Sequence, residues 1–135
     1  MNNNLNFYFE NLLKNDGASE YLINQVQKDL DFILPPDYIS IIKEFNGGEG
    51  EIGNNSWLFL FPIEELLEVN QDYVLLMEQI PDYFLFGKDA ADTGYAFHKV
   101  VKSIHSFGLM SNFDTDPIEF CGNSFFDFVK YLYEK

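Results

Sequence analysis

Residues 34–48, Leu-Pro-Pro-Asp-Tyr-Ile-Ser-Ile-Ile-Lys-Glu-Phe-Asn-Gly-Gly, specify one element of this chain at both of its ends. Tyr38, Ile41, Ile42 and Phe45 fall at i, i+3, i+4 and i+7, the spacing of one buried stripe on a helix of about three turns. Proline suits the first turn because its missing N–H has no partner to lose there. Asn46-Gly47-Gly48 supplies residues that take up the left-handed conformation that ends a helix. A core helix is therefore expected from the proline pair to the Asn-Gly-Gly stop.

Three further helical stripes are spaced along the chain. Leu5, Tyr8, Phe9 and Leu12 predict a helix ending near Asp16-Gly17. Leu22, Val26 and Leu30 predict a second behind an N-cap at Ser19. Ser124 and Asp127 form a capping-box pattern ahead of Phe125, Phe128, Val129 and Leu132, and a short helix is expected over Ile63–Val69. Strands are expected at Trp57–Phe61, Tyr83–Phe86, Tyr95–His98, Val100–Ile104 and Ile118–Cys121, with Asp92-Thr93-Gly94 as turn chemistry. The later connections are too short for helical crossovers, so the sheet is expected to be mainly antiparallel. The expected fold is α+β: one domain over residues 1–135, a sheet packed with four to five helices.

Composition narrows the function. The chain has 22 acidic residues against 8 lysines, no arginine, and a formal charge of −14. Phosphate recognition needs clustered cations, so direct nucleic-acid binding and attachment to anionic membranes are both disfavoured. The acids are unevenly placed. Residues 47–82 carry 8 acids and no lysine, against 7 acids and 3 lysines in residues 1–46 and 7 acids and 5 lysines in residues 83–135. A single cysteine, Cys121, and no charged-then-apolar leader at the N-terminus predict a reduced, cytoplasmic protein.

Enzyme motifs are sparse. Cys121 with His98 or His105 offers a nucleophile pair only if folding brings them together. The carboxylate pairs Glu49/Glu51, Glu64/Glu65, Asp89/Asp92 and Asp114/Asp116 supply fragments of a calcium loop or of a glycosidase pair. With this many acids, close pairs arise by chance. No catalytic residue, metal or cofactor is expected. Trp57 is expected to be buried in the sheet core in preference to anchoring a partner.

The sequence as a whole resembles the SUKH superfamily. Leu34-Pro35 with Asp37-Tyr38 and the helix closing on Asn46-Gly47-Gly48 match its signature. Trp57–Phe61 followed by Pro62-Ile63-Glu64-Glu65-Leu66 is similar to its strand and following helix. Pro81–Asp89 is similar to its strand ending in Gly-x-Asp, Gly94–Phe97 to its next strand, and Ser124–Val129 to its closing helix. Asp31 and Ala90-Ala91-Asp92 depart from the pattern at loop positions. The resemblance implies a non-catalytic immunity protein that binds and neutralises a cognate bacterial toxin, frequently a nuclease. The superfamily's fungal relatives imply an alternative, a regulatory or scaffold module linked to control of cell-wall synthesis. A nuclease presents a cationic groove, and an acidic protein is steered to it. Glu49, Glu51, Glu64, Glu65, Glu68 and Asp72, with Trp57 near their floor, are the residues expected to dock such a partner.

Overall fold

The structure is a computed structural model; it describes residues 3–113 and 115–135, with side chains from Asn6 onward. The chain opens with helix α1 (Asn3–Tyr8), strand β1 (Leu12–Lys14) and helices α2 (Glu20–Lys28) and α3 (Pro36–Glu44). A hairpin of β2 (Gly48–Ile52) and β3 (Ser56–Leu60) follows. Next come a 3-10 turn (Ile63–Glu65) and helices α4 (Leu66–Asp72) and α5 (Val74–Met77). Strands β4 (Tyr83–Lys88), β5 (Thr93–His98), β6 (Ile104–Gly108) and β7 (Glu119–Gly122) lead into the closing helix α6 (Phe125–Glu134). All seven strands join one antiparallel sheet in sequence order, so the α+β architecture is a meander. The described helices number six, because α1 and the one-turn α5 add to the longer ones.

Aromatic packing locks the helices to one face of the sheet. Tyr38 of α3 meets Phe97 and Phe86 of the sheet and Phe125 of α6 at ring-centroid distances of 5.0, 6.1 and 5.8 Å. Phe86 stacks on Phe97 at 4.2 Å, and Phe128 of α6 meets Phe86 and Tyr95 edge-on. Each of these rings is almost fully buried. Burying one contributes roughly 1.5–3 kcal/mol, and ring pairing about 0.5–1.5 kcal/mol more.

The signature residues act as fasteners within this core. Asp37 accepts the Phe125 N–H at 2.6 Å with one carboxylate oxygen and the Tyr38 N–H with the other, which ties the start of α3 to the start of α6. Asn46 is buried; its Oδ1 accepts the Ile63 N–H at 2.8 Å while its Nδ2 donates to Glu64 Oε1 at 2.6 Å. Gly47 sits at φ +84°, and a Cβ there would lie 2.5 Å from the Leu60 carbonyl oxygen, so only glycine fits. Ser19 and Ser124 cap α2 and α6 by accepting the Leu22 and Asp127 N–H groups, as expected.

Two expected elements are corrected, and one strand appears that the sequence did not suggest. The first stripe does not run on to Leu12: α1 stops at Tyr8, and Leu12 lies in β1 opposite Gly50. The side chain of Leu5 lies outside the described residues. Val100–Ile104 is not a strand, because Val100 and Val101 occupy an exposed turn and Lys102 has φ 65°, which reverses the chain into β6. Strand β2 was not expected. Its core-facing positions include Gly48 and Gly50, and a Cβ on Gly50 would lie 2.4 Å from the Asn11 carbonyl oxygen of the neighbouring segment.

Candidate partner-binding surface

The helices cover one face of the β1–β3 region, and the side chains on its other face point outward. The register decides which residues these are. Gly48 opposes Leu60 and Gly50 opposes Leu58 on the core side, so Glu49 opposes Phe59 and Glu51 opposes Trp57 on the outer side. Leu13 of β1 opposes Glu49 from the other flank, and Lys88 of β4 opposes Phe59. Leu13 is 80% exposed, Trp57 36% exposed and Phe59 half-buried. The expected burial of Trp57 is therefore corrected. Beta-strand alternation assigns Leu58 and Leu60 to the core and turns the indole outward.

The structure brings only some of the expected acids together. Glu49 and Glu51 stand two residues apart on this face. Glu65 joins them across a depression of about 320 Å³ whose lining includes Leu13, Glu49, Phe59, Pro62 and Glu65. Glu64 is exposed, but one of its oxygens is committed to Asn46. Glu68 and Asp72 are exposed one turn apart on α4, which packs along β4. Asn70 of α4 completes β4 there: its amide donates to the Leu85 carbonyl and accepts the Leu85 N–H, as a neighbouring strand would. Among the described residues, the carboxylates of Glu49, Glu51, Glu65, Glu68 and Asp72 take no hydrogen bond or ion pair, whereas Glu20 and Asp31 pair with Lys43 and Lys99.

The other candidate chemistries have structural explanations. Cys121 is buried; burial pushes its thiol up, and the groups around it are Ser106 and the Glu119 carbonyl rather than a histidine. The histidines belong to a separate ring cluster with Tyr83 and Phe120. His98 Nδ1 accepts the Val100 and Val101 N–H groups. His105 Nε2 lies 2.7 Å from the Ser103 hydroxyl, and burial, then the neighbouring His98, lowers its pKa. Asp89 closes its own turn by accepting the Ala91 and Thr93 N–H groups. Asp116 accepts the Asn112 N–H, while Asp114 lies outside the described residues. No three metal-ligating side chains come together among the described residues, and no described helix is long and apolar enough to cross a membrane.

Fold and surface together define the class: an α+β domain whose antiparallel meander is backed by helices on one side and presents carboxylates and rings on the other. The chain belongs to the SMI1 / KNR4 family (SUKH-1), whose family model matches residues 17–131. This family is a non-enzymatic binding and immunity fold, and membership supports an immunity-protein or regulator-type role with a protein as partner. No curated protein matches the chain closely enough to supply a relative for comparison.

Proposed function

We propose that this chain is an immunity protein that binds a cognate polymorphic toxin in the cytoplasm and neutralises it by covering a cationic, nucleic-acid-binding surface of that toxin. The observation that carries the reading is the acidic surface itself. Glu51 stands opposite an outward Trp57, Glu49 and Glu65 flank Phe59, and Glu68 and Asp72 extend the same sign of charge along α4, all without a hydrogen-bond or ion-pair partner among the described residues. Carboxylates left unpaired on a protein of charge −14 favour a basic partner twice over. They speed encounter through the long-range field and give hydrogen-bond acceptors where phosphate oxygens would otherwise lie.

Co-expression with candidate nuclease toxin domains tests the proposal. Reversing Glu49, Glu51, Glu65 and Glu68 to lysine, with the fold verified by its amide spectrum, is expected to abolish protection. Full protection by that variant would remove the acidic surface from the mechanism. The family match also admits a regulatory or scaffold role of the cell-wall synthesis regulator type. Co-purification from native cells with signalling or wall-building enzymes, and with no toxin, would select that role instead.

A further inference from the structure

The pairing of β2 with β3 does more than gather negative charge. Glu49 faces Phe59 and Glu51 faces Trp57 across the same antiparallel pair, so each outward carboxylate has an aromatic ring directly opposite it. Opposed side chains have Cβ atoms roughly 5 Å apart. Successive same-face pairs are spaced by two residues, about 7 Å along the strands. The result is two adjacent rows, two carboxylates along one strand and two aromatic rings along the next, with Phe59 half-buried against Phe61 at 5.2 Å. Leu13 closes the apolar side and Glu65 adds a third carboxylate beside Glu49. Neither glutamate forms an ion pair among the described residues, and Lys88, the cation on this face, stands beyond Phe59 on β4.

We propose that this bare sheet face docks two guanidinium groups held about 7 Å apart on a protein partner, each stacked on one ring and hydrogen-bonded to the carboxylate opposite. The chemistry selects arginine over lysine. A guanidinium is planar and weakly hydrated, so its face covers a ring while its edge reaches both oxygens of a carboxylate; an ammonium is a hydrated point charge that does one or the other. It also selects protein over nucleic acid, since phosphates are repelled here. The spacing matches alternate residues of an extended segment, whose side chains fall on one face. This inference rests on the docking face of the proposed function and specifies the partner's side chains, and it is testable without the toxin.

The test titrates the isotope-labelled chain with capped peptides Gly-Arg-Ser-Arg-Gly and Gly-Lys-Ser-Lys-Gly at matched ionic strength. The indole N–H of Trp57, the single tryptophan of the chain, is the main readout. The arginine peptide is expected to shift the Trp57 indole and the Glu49 and Glu51 amides saturably, with a dissociation constant at least about threefold below that of the lysine peptide. The isosteric variant Glu49→Gln/Glu51→Gln and, separately, Trp57→Leu are expected to erase that preference. Both alter exposed positions, and the carboxamide variant keeps the question answerable should Trp57→Leu misfold. Equal affinities for the two peptides, or shifts spread over other acidic regions and unchanged in the carboxamide variant, would overturn the proposal. An arginine preference alongside full protection by the charge-reversed chain would sink the proposed function and leave this inference standing; the converse pattern would do the opposite.

Discussion

Asn46→Ala should be among the most damaging substitutions available outside the aromatic core, and its cost follows from two contacts. The wild-type amide accepts the Ile63 N–H at 2.8 Å and donates to Glu64 at 2.6 Å. Ile63 is fully buried, so the variant leaves its N–H without a partner, which costs about 1–3 kcal/mol. The bond to Glu64 is charge-assisted, but that carboxylate is exposed and water replaces much of what is lost, so it adds only about 0.5–1 kcal/mol. The Asn46 backbone bonds to Asp16 and Asn15 survive. The sum is roughly 1.5–4 kcal/mol, and with a urea slope of about 2 kcal/mol/M the unfolding midpoint should fall by about 0.75–2 M. Equilibrium urea denaturation followed by Trp57 fluorescence measures this. A midpoint within about 0.3 M of wild type, at unchanged slope, would refute the assignment of Asn46 as the link between the end of α3 and the 3-10 turn. Asn46→Asp sharpens the test. It keeps an acceptor for Ile63 but places a second carboxylate against Glu64, so part of its defect should recover as the pH falls into the carboxylate range.

Three other outcomes follow from the same packing. The Tyr38 hydroxyl is buried with no hydrogen-bond partner among the described residues, and burial, then the charge of Glu64, pushes its pKa far up. Tyr38→Phe should therefore leave thermal stability unchanged or raise it, whereas a loss above about 1 kcal/mol would mean that the hydroxyl is satisfied. Lys102 has φ 65°, and its ammonium donates to the Ile33 and Lys99 carbonyls beside the Phe32 ring. Lys102→Gly and Lys102→Ala both lose those bonds, but glycine relieves the backbone, so it should melt above the alanine variant by about 1 kcal/mol of stability. The pKa of His105 is lowered by burial and by His98. The neutral form is thus favoured in the folded state, the associated stability is present above the unfolded value near about 6.5, and it is lost as pH falls through the folded value. His105→Gln should flatten that acid limb of a stability–pH profile, and NMR titration of His105 should place its midpoint below that of a free histidine.

Where local chemistry sufficed, structure was legible in advance. The stripe from Tyr38 to Phe45, the proline start and the Asn-Gly-Gly stop define α3, and Ser124 with Asp127 defines the start of α6. Elements decided by pairing were not legible. Leu12 keeps helical spacing from Tyr8 and Phe9, yet it becomes strand because Gly50 lies opposite it. Gly48-Glu49-Gly50-Glu51 lacks strand-forming side chains, yet it forms β2 because its neighbours approach too closely for a Cβ. Val100 and Val101 have strand propensity but turn outward, where Lys102 anchors the reversal. The same division holds for the candidate surface. Its acids stood out as a segment, but their grouping depended on register. One frame sets Glu51 opposite Trp57, and a one-residue slip would have buried the indole and exposed Leu58. Glu64 stays exposed but commits one oxygen to Asn46, 18 residues distant, a contact that no local pattern announces.

Under the proposed function, the outer face of β2 and β3 occupies the cationic working surface of a toxin. Chemical-shift mapping of the labelled chain with an unlabelled candidate toxin domain reads that contact residue by residue. The expected footprint is centred on Glu49, Glu51, Trp57, Phe59 and Glu65 and weakens as salt is raised. A footprint confined to the groove between α2 and the Leu30–Ile33 loop, with the Trp57 indole unmoved and no salt dependence, would contradict it.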